Sequence, residues 1–249
     1  MTAAGPTRDD LRALGAARRT LYSFLRSAFA EPPKGEQIEW LRNDAWRDVL
    51  GGSDAPESLA AFQSQPAPAE QAADYLGDAR QEFMSLFKVP GAQYVTPYES
   101  VFRDTREIDG RKVGGLLMGQ SAIDVQKWYR LAAIEISDAY KDLPDHICLE
   151  MDYMAHLCGK EIEFAARGDE KKLTRAWEMQ RDFLAGHLAR WIDALRDKIH
   201  AKTRHAYFRA VADLAAAFVH RDLATLEGVI GESKGLSSPV SDRQPASCA

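Results

Sequence analysis

The 249-residue chain has only three cysteines and no C-x-x-C pair. That excludes a thiol redox motif and zinc-ribbon spacing. Cys148 and Cys158 fall in one expected helix, about 15 Å apart along its axis, too far to bridge. Cys248 lies near the end of the chain. Reduced thiols in a cytosolic protein are the expectation. A basic excess is missing too: Lys plus Arg total 32 against 37 Asp plus Glu, a formal net charge of -5. Such a balance lacks the basic face of a general nucleic-acid binder. It suits a cationic partner better. No apolar run reaches the roughly 18 residues a membrane span needs.

Catalytic motifs are absent as well. A di-iron carboxylate bundle needs paired Glu-x-x-His elements. The residues three before the histidines are Leu143, Tyr153, Leu184, Asp197, Lys202 and Ala217, none of them Glu. No His-Glu-x-x-His occurs. Asp145-His146 has the reverse order of the pair in HD-type phosphohydrolases, and no histidine precedes it. His146 with Glu150, or Asp152 with His156, could form a two-ligand clip, but two ligands do not make a metal site. The Gly114–Gly119 stretch is neither G-x-G-x-x-G nor a P-loop. No G-x-S-x-G occurs, and nothing near Ser100 or Ser121 supplies a base. These absences point to a protein that is not an enzyme, with no metal and no cofactor. The alternative is a helical metal-dependent hydrolase with an unrecognised site.

What is present is helical periodicity. Hydrophobic residues make up 45% and charged residues 28% of the chain, a soluble globular mix. A chain this long buries about 70% of its unfolded surface without disulfides. Arg18-Arg19-Thr20-Leu21 resembles the start of a twin-arginine export signal. Arg26 interrupts its apolar run, however, and Leu11, Leu14, Leu21, Phe24, Leu25 and Ala28 share one helical face. An amphipathic core helix over 8–30 is expected, capped by Thr7 with Asp9 and Asp10 in the first turn. Further helices are expected over 35–50, 69–87, 120–140, 144–168, 171–199 and 205–227. A loop at 51–68 has room for one short helix. Pro144 takes the first helical position of its helix. No strand pattern is evident. The fold class is all-α, a single-domain bundle of about seven or more helices over 1–232. A disordered, dispensable tail is expected over 233–249.

Two polar-aromatic segments exceed what a plain bundle needs. The first, 89–102, sets prolines, aromatics and Glu99 on an irregular loop; its interior setting marks it as functional or mobile. The second, 143–154, places Asp145 and His146 in a first helical turn. There Asp145 complements the dipole, and His146 is neutral or hydrogen-bonded nearby. This pair reads either as a capping network that holds the loop or as part of a binding site.

These segments resemble the TorD/DmsD family of cytoplasmic chaperones for molybdoenzymes. Leu86-Phe87 followed by Pro97-Tyr98-Glu99-Ser100-Val101-Phe102 is similar to the family's first mark. Pro144-Asp145-His146, opening a helix through Glu150 to Leu157, is similar to its second. Phe183-Leu184-x-x-His187-Leu188-x-x-Trp191 is similar to its third. The likeness covers roughly residues 10–226. Phe102-Arg103-Asp104-Thr105-Arg106 and the Gly115–Gly119 stretch look most like chaperones of the type II dimethyl sulfoxide reductase group. Those serve ethylbenzene and dimethylsulfide dehydrogenases and selenate and chlorate reductases.

The resemblance implies an all-helical, cytoplasmic binding protein. Its partner is the apo catalytic subunit of a molybdenum oxidoreductase, held by its twin-arginine leader or its mature body. The chaperone keeps that subunit competent for molybdenum cofactor insertion and delays its export. The implied partner-binding residues are Tyr98, Phe102 and Trp128 as an apolar wall. Glu99, Asp145 and Glu150 are the carboxylates for arginines, with Pro144 and His146 in the same element.

Overall fold

The computed structural model describes residues 7–43, 46–47, 50, 56–65, 72–134 and 142–236. Among them the chain forms ten helices and one two-stranded hairpin, an all-α bundle. Helix α1 spans Arg8–Ala30 and opens on the expected cap. Thr7 Oγ1 accepts from the Asp10 N–H at 3.2 Å, and Asp10 Oδ2 accepts from the Thr7 N–H at 2.9 Å. That reciprocal box satisfies two otherwise orphaned donors. Leu21, Phe24, Leu25 and Ala28 are buried, so the amphipathic reading of α1 holds. Among the described residues, no helix is long and apolar enough to cross a membrane.

Helix α7 (Ile147–Arg167) lies along α1. Gly15 permits the close approach: a Cβ there would stand 3.1 Å from Ile162 Cγ1 and 3.2 Å from a Glu161 oxygen. Gly168 closes α7 at φ +67°, a left-handed conformation that glycine adopts without strain. Helix α10 (Ala206–Leu236) packs on α3 (Glu57–Ser64), α8 (Glu170–Gly186) and α9 (Leu188–Lys202). Phe208, Leu214, Phe218 and Val219 on α10 are buried. Each such side chain stabilises by about 1.5–3 kcal/mol through removal from water.

A polar hub crosses this core. Arg18 is buried, and its Nη1 donates to Glu161 at 2.6 Å. Its Nη2 donates to Gln180 at 2.6 Å and to Asp222 at 3.0 Å, and its Nε also meets Asp222. Tyr22 donates to the same Asp222 at 2.6 Å. One guanidinium thus ties α1 to α7, α8 and α10. The Arg18-Arg19 pair belongs to a core helix.

Several expectations are corrected. Helix α2 is short, Gly35–Arg42, although Trp46 and Leu50 beyond it are buried. The short helix allowed between 51 and 68 exists as α3. Helix α4 is described over Ala72–Phe87, ending where expected, and 69–71 lie outside the described residues. Helix α6 covers Gln120–Leu131, and 135–141 lie outside the described residues. The stretch read as strandless contains a hairpin after α5 (Glu99–Arg103): β1 (Thr105–Ile108) pairs antiparallel with β2 (Arg111–Gly114). Asp109 and Gly110 join the strands with φ of 51° and 74°. Asp-Gly favours this two-residue turn because both positions need positive φ. The single helix expected over 171–199 is two, broken at His187. Helix α7 starts at Ile147 rather than at Pro144, because residues 145–147 pair with an extended segment. At the other end α10 reaches Leu236, four residues into the expected tail. The remainder of that tail, 237–249, lies outside the described residues.

Candidate functional site

The two segments singled out by sequence are joined backbone to backbone. The Ile147 N–H donates to Pro97 O and the Glu99 N–H to Asp145 O, each at 3.0 Å. Asp145 Oδ2 then accepts from the Ser100 N–H at 2.8 Å. Asp145 therefore caps α5, a helix 45 residues earlier in sequence, instead of its own helix. The cap on α7 is His146, whose Nδ1 accepts from the Cys148 N–H at 3.2 Å. Backbone pairing holds His146 extended opposite Tyr98, and Pro144 and Asp145 form the turn before it.

His146 is buried, and burial lowers its pKa to about 4, against a smaller opposing pull from Asp142. It is neutral at pH 7. The bond to Nδ1 assigns its proton to Nε2. The Cys148 sulfur lies 2.6 Å from Nδ1. Tyr98 sets its ring edge-on to the His146 ring, 4.9 Å between centroids, and its hydroxyl donates to Asp142. Pro144 is buried in the turn, and its carbonyl accepts from the Tyr129 hydroxyl at 2.9 Å.

Beneath this splice lies a cluster of carboxylates. Glu99, Asp145 and Glu150 are each wholly buried. Glu99 Oε2 meets His187 Nδ1 at 2.8 Å, and its Oε1 accepts from Arg103. Glu150 Oε2 accepts from the Trp191 indole N–H at 3.2 Å. Burial, reinforced by the Glu99 charge, pushes the Glu150 carboxyl well above the usual range. Burial also raises Asp145, against the bond from the Ser100 N–H that favours its charged form. Like charges crowded in a poorly solvated space favour the protonated form. Asp145 Oδ1, Glu150 Oε1 and Ser100 Oγ have no hydrogen-bond partner. Among the described residues, no group of three or more His, Cys, Asp or Glu is arranged to hold a metal ion.

The aromatic candidates line the half-buried side. Phe102 lies 5.4 Å from Trp191, and Trp128 on α6 stands edge-on to Phe183 at 6.0 Å. Trp128 also borders an open groove beside the α8–α9 junction. The fold therefore gathers Tyr98, Glu99, Pro144, Asp145, His146 and Glu150 around one splice, with Phe102 and Trp128 to one side. None of the three carboxylates meets solvent here.

Sequence reasoning left Arg103 and His187 out of the site. The signal was in view: His187 and Trp191 stand four apart, the spacing of neighbours on one helical face. At the break between α8 and α9 the His187 ring faces Glu99. Arg103 stands one turn after Glu99, the spacing of an ion pair.

Comparison with known proteins now bears on this site. The family model described as nitrate reductase delta subunit matches residues 52–197. The chain is 25% identical over 231 residues to the chaperone protein TorD of Vibrio cholerae serotype O1, covering 90% of this chain and 99% of that one. It is 23% identical over 224 residues to TorD of Vibrio parahaemolyticus, with 88% and 99% covered. TorD of Shewanella oneidensis is 23% identical over 231 residues, with 87% and 94% covered. These relatives carry the name of a chaperone and not of an enzyme.

Proposed function

The chain belongs to the nitrate reductase delta subunit family, and from that premise we propose that it is a cytoplasmic chaperone, not an enzyme, for the apo catalytic subunit of a molybdenum oxidoreductase. It binds that subunit through its twin-arginine leader or its mature body, keeps it open for molybdenum cofactor insertion, and delays its export. The supporting observation is the splice between residues 97–100 and 145–147, which builds one site from the two segments that carry the resemblance. Chaperones named TorD cover nearly the whole chain and support the same reading.

Within the site, Tyr98, Phe102 and Trp128 are the contact residues, because they are the candidates that stay partly accessible. Pro144, Asp145, His146 and Glu150 work from beneath and fix the contact face, and Glu99 lies buried among them. The run Phe102–Arg106 and the Gly115–Gly119 stretch support a client of the type II dimethyl sulfoxide reductase group. The test is deletion of this chain in its host. The client should then accumulate without molybdenum, inactive and retained in the cytoplasm. Normal molybdenum content in the deletion strain overturns the proposal. Capture of the apo subunit by the tagged chain, weakened by Trp128→Ala, checks the contact face.

A further inference from the structure

Arg103 closes α5, and its side chain is 28% exposed. It borders an open groove of about 480 Å³ with Asp104, Ser121, Trp128, Leu131 and His187. Its Nη1 donates both to Glu99 Oε1 and to the Gly186 carbonyl, the latter at 2.7 Å. Glu99 is wholly buried, and its other oxygen is taken by His187. The groove thus reaches this carboxylate through a guanidinium.

The neighbouring carboxylates of the groove are engaged elsewhere. Asp104 accepts from the Ser121 N–H at 2.9 Å and from the Ser121 hydroxyl at 2.7 Å. Asp124 accepts from Lys127 at 2.6 Å. On the outer side, Ile123 and Leu131 are exposed along one stripe of α6. Unpartnered oxygens of Asp145 and Glu150 lie buried behind Glu99, so the interior remains rich in acceptors. Arginine's delocalised guanidinium is more weakly hydrated than an ammonium and suits a buried ion pair better.

We propose that the place Arg103's guanidinium holds at Glu99 is a recognition site for an arginine side chain of a bound protein segment, with Arg103 as its internal stand-in. The incoming arginine displaces Arg103 into the groove and pairs with Glu99 and the Gly186 carbonyl. Apolar residues beside that arginine lie against Trp128 and Leu131. This deepens the proposed function and rests on it for the partner's identity. The guanidinium site itself does not depend on that reading.

The test uses the full chain. Arg103→Ala vacates the place, lowers the melting temperature and leaves Glu99 short of a countercharge. Millimolar methylguanidinium should restore part of the loss, and equal methylammonium should not. Wild type and the Glu99→Gln/Arg103→Ala double variant should respond to neither. A synthetic peptide with an Arg-Arg pair ahead of an apolar run should bind Arg103→Ala about tenfold more tightly than wild type, because the competing internal group is gone. The same peptide with citrulline for arginine should show no gain. Should Arg103→Ala not fold, Arg103→Lys keeps the charge without the fork and should also bind the arginine peptide more tightly than wild type. Absence of guanidinium-specific rescue in a folded Arg103→Ala overturns the site, as does equal arginine-peptide affinity in wild type and Arg103→Lys. Rescue in a chain whose deletion leaves client molybdenum normal would leave the site standing and remove the chaperone reading.

Discussion

The Arg18 hub and the Glu99–Asp145–Glu150 cluster are both buried and charged, yet they treat their polar atoms differently. In the hub, one guanidinium meets two carboxylates and Gln180, and Tyr22 adds a donor. Among the described residues, no buried polar side-chain atom of that hub lacks a partner. In the other cluster, three carboxylates share Arg103, His187, Trp191 and one backbone N–H, and two carboxylate oxygens go unmatched. Saturated buried networks fix a core. Unsatisfied buried groups and raised carboxyl pKa values mark places kept for function. The hub ties four helices together; the cluster leaves two buried carboxylate oxygens unmatched behind the groove-lining Arg103.

The sharpest way to break this contrast is Arg18→Met. It strands Glu161 and Asp222 without a countercharge, which should destabilise the fold by about 3–5 kcal/mol. Urea unfolding measures it, and a loss below about 1 kcal/mol would mean the hub is not a clamp. Binding of client per folded molecule should not change.

His146 comes next. Its folded pKa of about 4 lies below the ordinary 6.5, so the native state binds fewer protons than the unfolded chain between those values. Its stabilising contribution is present above pH 6.5 and is lost as pH falls toward 4. The slope is about 1.4 kcal/mol per pH unit, up to roughly 3 kcal/mol in all. His146→Asn keeps a helix cap and removes the titration. Its stability profile should be flatter than wild type over that window, as read by denaturation at stepped pH.

Glu150 has the opposite sign. Its folded pKa lies above 4.5, so the native state binds more protons, and its contribution is full below 4.5 and is lost as pH rises. Relative to Glu150→Gln, wild type should lose about 1.4 kcal/mol per pH unit once the unfolded carboxyl ionises. A constant difference between the two proteins from pH 4 to 7 would show that Glu150 is not held protonated.

The smallest effect is expected at Asp145→Asn. Asparagine keeps an oxygen for the Ser100 N–H, so stability should change by less than about 1 kcal/mol. Leader-peptide affinity should stay close to wild type. A loss of about 10- to 150-fold would place Asp145 in direct contact with an arginine.

Periodicity made the bundle legible, because burial of one face leaves a 3.6-residue signature. The buried stripe of α1 follows from it, and cap chemistry marked the start at Thr7 and the end of α7 at Gly168. Periodicity could not show that 171–199 breaks, since Leu184, Leu188, Trp191 and Leu195 keep their spacing across His187. The break is set by tertiary contacts, the pull of Glu99 on the ring and of Arg103 on the Gly186 carbonyl. The hairpin was hidden because its sequence does not alternate apolar with polar; Asp109-Gly110 was its one signal. At the site, sequence marked both segments but assigned Asp145 to the wrong helix. A cap supplied from 45 residues away leaves no trace in local spacing.

That long-range cap also has a consequence for how the protein can vary. Once residues 97–100 are stitched to 145–147, the chain between them is a closed excursion with pinned ends. It holds the hairpin, the Gly-rich turn and α6, which forms one wall of the groove. Changing the length of such a loop alters its closure entropy slowly, by about 0.6 kcal/mol for each doubling. Insertions or deletions in the exposed hairpin can therefore reshape the groove's rim while the buried carboxylates beneath it stay where they are.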